Sequence, residues 1–380
     1  MEKEKVVIIG ANSFQNPLIL KAKEKGYETH VFAWASGDVG EKTADYFYPI
    51  SITEKDEILE KCKEIKPSAV CSIASDLAVI TVNYLADKLG LVGNDPAYST
   101  ICTNKYEMRK AFKENGVKVP QFIHVQENEK YDISSFEFPI IVKPTDRSGS
   151  RGVTKVEKIE DLDAAIKNSI GYSFEKKAIV EEYIDGPEYS CECISYKGKH
   201  NFLTVTKKYT TGAPHFIETA HKQPSDLTDE QIEKVKEEVF KGLDSLHVEY
   251  GPSHSEFKVD KNGDIRIIEI GARMGGDCIG SDLVKISTGY DFIDLTLDVA
   301  LGKELKLEKV VEPKIAFIKF IFSKEDLDKM NEIKEKHNEL IYFISEITDL
   351  EHEIVDSSTR FGYYILSLDN EEQLKQLEIL

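Results

Sequence analysis

The chain has 380 residues, of which 68 are acidic and 49 basic, and its formal net charge is −19. This length exceeds the usual size of one hydrophobic core and predicts two or three domains. The acidic surplus argues against a nucleic-acid-binding or an anionic-membrane surface, because both need a basic footprint. We therefore expect neither partner, and any anionic ligand must meet a local cluster of basic residues.

Alternating strands and helices over residues 1 to about 95 predict a small parallel α/β domain. The chain opens with a strand, Val6–Ile9, without a signal-type apolar region, and no apolar run approaches the ~20 residues of a membrane helix. We expect a cytoplasmic protein. The six cysteines show no CxxC spacing and are predicted to be reduced packing thiols.

A helix over Lys105–Glu114, capped by Asn104, precedes a strand-rich region that begins at Pro139. The strand Ile140–Val142 runs into the loop Lys143–Val153, in which glycines and hydroxyls alternate with two arginines. Such a loop can close its backbone N–H groups over phosphate oxygens. The alternative is an ordinary polar hairpin loop, and the lysine at the strand end favours phosphate.

An acidic segment follows at Glu181–Glu188, where a strand stops at a Gly-Pro turn. It can offer backbone groups to an adenine edge and a carboxylate to ribose hydroxyls. By itself it is equally consistent with an exposed acidic turn.

A predicted hairpin places Glu256 and Glu269 opposite each other. Asn262-Gly263 is a strong signal for a two-residue primed turn, and that turn pairs these two glutamates. Directly opposed Cβ atoms lie ~4.5–5.5 Å apart, where like charges are destabilising. A hard cation, Mg²⁺ above all or Mn²⁺ in its place, would relieve the repulsion. The alternative is a solvated acidic edge.

The segment after the second glutamate, Glu269-Ile-Gly-Ala-Arg-Met-Gly-Gly-Asp277, favours a binding site. It places Arg273 among glycines that let the backbone approach a ligand closely. The alternative for Arg273 is a structural ion pair with Glu269 or Asp277. Further helices and strands are predicted up to residue 368.

Taken in order, Lys105, Lys143, the glycine-rich loop, Glu181 to Glu188, Glu256, Glu269 and Arg273 resemble the ATP-grasp superfamily. The resemblance implies a multi-domain α/β and α+β protein in which two α+β lobes clamp ATP. It covers residues 1 to about 310 and implies an N-terminal domain at 1–103, an N-lobe at 104–206 and a C-lobe at 207–310. The strand and helix patterns that follow predict a C-terminal α+β extension at 311–380. The extension is expected to cover the site, contribute to a homodimer or complete the fold.

The resemblance also implies roles for individual residues, with ATP and Mg²⁺ as ligands. Glu256 and Glu269 would bind the metal, and Arg273 and Lys208 would act in catalysis, although Lys207 is an equal claimant by chemistry. The residues implied to bind ATP are Lys105, Lys143, Ser148, Gly149, Ser150, Gly152, Val153, Glu181, Tyr183, Ile184, Glu188 and Lys208.

Within the superfamily, GARMGGD and the segment Lys208–Pro224 are similar to the L-amino-acid ligases. This similarity implies substrate-binding roles for Glu218, His221, Arg273, Gly275 and Gly276. Biotin carboxylases differ, because they carry asparagine and QVEH after the second glutamate where this chain has Gly271 and Gly275–Cys278.

The implied reaction is activation of a carboxylate as an acyl phosphate, with ATP converted to ADP, followed by amide formation with an amine. The substrates would be a small acid and an amine, expected to be amino acids or a related small acid. The alternatives are another ATP-grasp enzyme, such as a purine-pathway ligase or a carboxylase, and a nucleotide-binding module without catalysis.

Overall fold

The computed structural model describes residues 3–213 and 216–379, and within them the strands form three sheets. The first is parallel, with the order β3-β2-β1-β4. Its strands are β1 (Lys5–Ile9), β2 (Glu28–Phe32), β3 (Tyr46–Tyr48) and β4 (Ala69–Cys71). The helices of this region are α1 (Asn16–Glu24), α2 (Val39–Thr43), α3 (Lys55–Ile65), α4 (Asp76–Leu89), α5 (Ser99–Thr103) and α6 (Lys105–Glu114). Residues Val6–Ile9 are fully buried, as expected for a parallel strand covered on both faces.

The second sheet is antiparallel and has four strands in the order β5-β8-β6-β7. Its elements are β5 (Phe122–Gln126), β6 (Ile140–Pro144), β7 (Thr154–Val156), α7 (Leu162–Tyr172) and β8 (Lys177–Glu182). Alternate residues of the strands, including Ile140, Val142 and Val180, pack with Ile166 of α7 in one core. The opposite face of the sheet is thereby left for ligand.

The third sheet has eight strands in the order β13-β12-β9-β10-β11-β14-β16-β15. Its strands are β9 (Glu188–Tyr196), β10 (Lys199–Thr210), β11 (Glu218–Gln223), β12 (Gly251–Val259), β13 (Ile265–Gly271), β14 (Ile315–Phe320), β15 (Ile341–Ile344) and β16 (Tyr363–Leu368). The remaining α-helices are α8 (Asp229–Ser245), α9 (Val284–Thr288), α10 (Phe292–Ala300), α11 (Lys324–Lys336) and α12 (Glu371–Gln376).

The C-terminal strands continue this third sheet instead of forming a separate one. β14 pairs antiparallel with β11, from Ala220 opposite Lys319 to Gln223 opposite Ala316. The predicted boundary between residues 206 and 207 falls inside β10. The four-part domain division stays a prediction, whereas the mixed α/β and α+β architecture is confirmed.

The β12–β13 hairpin differs from its predicted turn but keeps the predicted opposition. Gly263 has a φ of +78°, and the Asp260 N–H donates to the Asp264 carbonyl (3.0 Å), so the loop has three residues and the two-residue turn was wrong. A longer loop shifts the register by one residue. A bulge at Ile268 restores it, because Glu256 pairs with Glu269 and Phe257 with Ile267.

Among the described residues, no helix combines the length and the apolar composition needed to cross a bilayer.

Candidate active site

A cleft opens between the four-stranded antiparallel sheet and the eight-stranded sheet. Apolar side chains of Ile141, Val153, Ile184 and Ile268 line one part of it, and charged side chains line the rest. The predicted site residues that line this cleft are Lys105, Lys143, Ser148, Gly149, Ser150, Val153, Glu181, Tyr183, Ile184, Glu188, Lys208, Glu218, Glu256, Glu269 and Arg273.

Lys143 lies at the end of β6 in a fully buried charge cluster. Its Nζ is 2.5 Å from Glu181 Oε2, and Arg109 Nε is 2.5 Å from Glu181 Oε1. Burial would raise the pKa of Glu181, but the two cations hold it below its usual range. Burial lowers the pKa of Lys143. The Glu181 side chain therefore orients the cations, and only its backbone is left to face adenine.

Lys105 begins helix α6 and reaches the other side of the cleft. Asn104 caps the helix by accepting hydrogen bonds from the Tyr106 and Glu107 N–H groups (3.0 and 3.2 Å). The Lys105 ammonium donates to Glu269 Oε1 (2.8 Å) and to the Arg147 carbonyl (2.7 Å). Lys105 thus joins the glycine-rich loop to the predicted metal hairpin.

The glycine-rich loop between β6 and β7 carries Gly149, Ser150 and Gly152 at positive φ. Gly149 and Ser150 line the cleft, whereas Gly152 anchors the loop, because its carbonyl accepts from Ser169 Oγ (2.6 Å). A Cβ at Gly152 would lie 2.9 Å from the Tyr172 ring. Its role in binding ATP remains a prediction.

Lys208 is the lysine of the Lys207-Lys208 pair that faces the cleft. Its Nζ lies 2.7 Å from Glu256 Oε1, 3.1 Å from Glu188 Oε1 and 3.6 Å from Glu218 Oε1. Burial would lower the pKa of Lys208, but the three carboxylates raise it well above its usual value. Lys207 points to the opposite face of β10 and pairs with Asp226.

His254 lies beside the predicted metal ligand Glu256 on β12. Its Nδ1 is 2.6 Å from Glu192 Oε1 and its Nε2 is 3.4 Å from Glu256 Oε1. Burial would lower the pKa of His254, but the neighbouring carboxylates raise it to about 9. A Cβ at Gly275 would come within 2.7 Å of the imidazole, so this glycine makes room for the His254–Glu192 pair.

Arg273 makes a bidentate contact with Asp76, a partner that was not predicted from the sequence. Its Nε and Nη2 donate to the two carboxylate oxygens of Asp76 (2.8 and 3.1 Å) at the start of α4. This contact orients the guanidinium at the cleft margin and ties the N-terminal sheet to the site. Glu269 and Asp277, the partners considered from sequence, are not its hydrogen-bond partners among the described residues.

Glu256 and Glu269 suit Mg²⁺ by the chemistry of their donor set. They are opposed on neighbouring strands, and their side chains are 27% and 21% exposed to the cleft. Among the described residues, no group of three or more His, Cys, Asp or Glu side chains converges to hold a metal. A pair of carboxylates is a suitable protein ligand set for Mg²⁺. This ion is commonly bound by one or two protein carboxylates, and water and phosphate oxygens occupy its other coordination positions.

Three predicted substrate residues do not line the cleft. Gly275 and Gly276 lie in the turn behind it, and His221 is fully buried under it. His221 Nε2 lies 3.5 Å from Asp277 Oδ2, too far for a well-formed hydrogen bond, and burial lowers the pKa of His221. Direct substrate contacts by these residues stay predictions.

Three residues of the site were not predicted from the sequence, and each of them contacts a partner that is distant in the chain. They are Arg109, Asp76 and Glu192. Glu192 is a fully buried carboxylate inside a strand, and a charged residue at an inward position of β9 is the one local signal that could have been noticed.

Residues 136–282 match the model of the ATP-grasp domain. The chain carries an ATP-grasp domain. It is similar to alanine–anticapsin ligase from Bacillus subtilis, with 30% identity over an alignment of 309 residues. The alignment covers 72% of this chain and 65% of that protein.

Solved structures extend this similarity beyond the ATP-grasp domain. An L-amino acid ligase from Bacillus licheniformis covers 99% of this chain and 96% of its own at a TM-score of 0.83 and 23% identity. Phosphoribosylglycinamide synthetase from Anaerococcus prevotii covers the same shares at a TM-score of 0.78 and 23% identity. These matches confirm the predicted ATP-grasp fold. The chain spans about half to two thirds of the length of the curated relatives it matches.

Proposed function

We propose that this chain is an ATP- and Mg²⁺-dependent ligase that joins a carboxylate to an amine through an acyl phosphate, with amino acids as substrates. The observation that carries the proposal is the convergence of three lysines, two opposed glutamates and an oriented arginine in one cleft, with the glycine-rich loop at its edge. Phosphoryl transfer depends on positioning and charge neutralisation more than on covalent chemistry.

Two of the lysines form ion pairs with the glutamates that are the proposed ligands of the metal. Lys105 pairs with Glu269 and Lys208 with Glu256. When ATP binds, both ammonium groups can turn to its phosphates, and the two glutamates become free to hold Mg²⁺. The metal would neutralise phosphate charge. The apolar residues Ile141, Val153 and Ile268 provide a slot for adenine between the two sheets.

Arg273 is placed to stabilise the acyl phosphate and the tetrahedral oxyanion. Its charge does not titrate in the physiological range, and its forked donors suit two oxygens. Because Asp76 holds one edge of the guanidinium, the orientation of the other edge is set before substrate arrives.

Amino acids are favoured as substrates by two findings. The segment GARMGGD resembles that of L-amino-acid ligases, and alanine–anticapsin ligase is among the relatives. Solved structures of a phosphoribosylglycinamide synthetase and an N5-carboxyaminoimidazole ribonucleotide synthetase share the fold, so sugar-phosphate substrates define the competing proposal. Assembly as a homodimer and a cytoplasmic location remain predictions.

The test is phosphate release from ATP and Mg²⁺ with every pair of the twenty amino acids, followed by mass spectrometry of active mixtures. We expect release that needs both amino acids and EDTA-sensitive formation of a product at their summed mass less water. If no pair of amino acids causes phosphate release although the protein binds MgADP, amino acids are rejected as substrates.

Neighbouring lysines provide a matched control for the site itself. K208M should abolish pair-dependent release, whereas K207M, whose side chain lies on the opposite face of the same strand, should retain it. MgADP titration and thermal melting of both variants separate loss of chemistry from loss of folding. Equal activity of the two variants would contradict the assignment of Lys208.

A further inference from the structure

A short segment near the C-terminus, residues 356–360, reaches the substrate end of the cleft. A single 3₁₀ turn, Ser357–Thr359, forms within it, and the Asp356 carboxylate caps this turn. The segment lies between β15 and β16, outside the residues 136–282 that match the ATP-grasp domain. We call it the Arg360 segment.

Two residues of the Arg360 segment contact Glu218 at the edge of the cleft. Ser357 Oγ donates to Glu218 Oε2 (2.5 Å), and Arg360 Nη1 donates to the Glu218 carbonyl (3.3 Å). The other carboxylate oxygen, Oε1, faces Lys208 at 3.6 Å. Glu218 is therefore oriented from both sides, by the Arg360 segment and by Lys208.

Arg360 also holds the turn that follows Gly275 and Gly276. Its Nη1 and Nη2 donate to the two oxygens of Asp277 (3.0 and 2.6 Å), and its guanidinium stacks on the Phe320 ring at 3.6 Å. Burial would raise the pKa of Asp277, but Arg360 and His221 hold it well below its usual range. Asp277 has a φ of +51°, a left-handed conformation that is uncommon outside glycine and that aspartate tolerates better than most residues.

The charges at this end of the cleft suit a cationic group. Lys208 and Arg360 face four carboxylates, those of Glu188, Glu218, Glu256 and Asp277. Arg360 neutralises Asp277, and Lys208 is shared by the other three. Of the three carboxylates around Lys208, Glu256 is assigned to the proposed metal and Glu188 to the predicted ATP contacts. Glu218, which also lines the cleft, is therefore the one available to an ammonium group.

We infer that the Arg360 segment completes the amine subsite of the proposed ligase, with Ser357 and Arg360 as positioning residues that hold Glu218 and the Asp277 turn against Lys208. The inference rests on the proposed function. It gives the C-terminal extension a role in the site. Ser357 and Arg360 exert this role by positioning Glu218 and Asp277 and not by direct contact with ATP.

Three variants test the inference. R360K keeps the charge but loses the forked contact with Asp277, and S357A removes the donor to Glu218. E371Q is the control, because Glu371 also ties the C-terminal region to β11, through Lys222 (2.5 Å), but on the face away from Glu218. We expect R360K and S357A to raise the KM for the amine substrate at least tenfold and to change the KM for ATP less than twofold. E371Q should change neither.

Equal rises in both KM values, no rise in either, or the same effect from E371Q would overturn the inference. Hydrogen exchange without substrate separates this outcome from failure of the proposed function. R360K should speed exchange in residues 216–223 and 274–280, whereas E371Q should leave 274–280 unchanged. Unaltered exchange in R360K would remove the positioning role even if ligation occurs. Faster exchange together with an inactive wild-type protein would reject the ligase and leave the contact established.

Discussion

The two ends of the cleft are built in different ways. At the phosphate end, Lys143 and Glu181 lie in one four-stranded sheet beside the glycine-rich loop, all within about forty residues. At the substrate end, Glu218, Asp277 and Arg360 come from β11, from the turn after β13 and from the segment before β16. The first end is encoded largely in one stretch of sequence, to which helix α6 adds Arg109. The second is assembled from distant strands that share one sheet.

The two ends also differ in how their charges are balanced. Glu181 is fully enclosed between two cations, so the phosphate end is a closed network in which each charge depends on the others. At the substrate end Lys208 is shared by three carboxylates, with His254 beside one of them. That arrangement leaves net negative charge. Removing a residue should therefore cost mainly stability at the first end and mainly binding at the second.

The largest effect is expected from R109M in the phosphate network. Arg109 is fully buried, and breaking a buried pair leaves an uncompensated charge that costs ~3–5 kcal/mol in the free energy of unfolding. Urea denaturation measures the loss. On the same helix K110M removes an exposed pair and should cost only ~0–1 kcal/mol. Similar losses in both variants would show that the network is not closed.

R273K tests the residue that stands between the two ends. A lysine has a single nitrogen in place of the planar fork, so it cannot keep both contacts with Asp76 and still present an oriented second edge to a substrate oxyanion. We expect kcat/KM for ligation to fall by ~10²–10³-fold. The affinity for MgADP, measured by titration calorimetry, should be retained. R266K on the same strand faces Asp260 in the hairpin turn and should keep full activity. A parallel fall in MgADP affinity would place Arg273 in nucleotide binding.

G275A probes the packing behind the cleft. The new Cβ would displace the imidazole of His254, and such overpacking typically costs ~1–3 kcal/mol of stability. G276A is the control, because its Cβ would meet no described heavy atom within 4 Å. Thermal melting of the two variants gives the comparison. If G276A loses activity while remaining stable, direct substrate contact by that glycine gains support.

The smallest effect concerns the turn of the metal hairpin. G263A forces alanine into a left-handed conformation at a cost of roughly 1–2 kcal/mol, whereas N262A should be nearly neutral, within ~0.5 kcal/mol, because Asn262 has no positive φ. A two-residue turn would make both substitutions costly. Chemical denaturation of the two variants therefore distinguishes the loops.

Elements with a regular apolar pattern were predicted closely. The strand Val6–Ile9 lies within one residue of β1, and the helix Lys105–Glu114 matches α6 at both ends, because local periodicity and a capping asparagine specify them. Strand β11 was missed. Its sequence, Glu-Thr-Ala-His-Lys-Gln, is polar throughout, since its residues serve the site and the sheet interior instead of following an apolar alternation.

Glu256 and Glu269 are paired as predicted, but the two-residue turn from which the pairing was predicted is not the turn that forms. The loop is one residue longer than expected, and the bulge at Ile268 compensates. The bulge also lets Ile268 and Glu269, neighbours in sequence, both line the cleft, which a regular strand would forbid. Bulges have no dependable local signature, so the sequence predicts such a pairing without predicting its geometry.

The sequence by itself determined the order of the elements, the glycine-rich loop with its lysine, and the glutamates and arginine of the cleft. These features depend on neighbours a few residues apart, where turn chemistry and periodicity act. Only the tertiary structure decided three contacts of the site. Arg109 pairs with Glu181, Asp76 orients Arg273, and Arg360 donates a hydrogen bond to the Glu218 carbonyl. Each of these contacts joins distant parts of the chain, and the packing of the sheets, which local sequence does not specify, sets the partners.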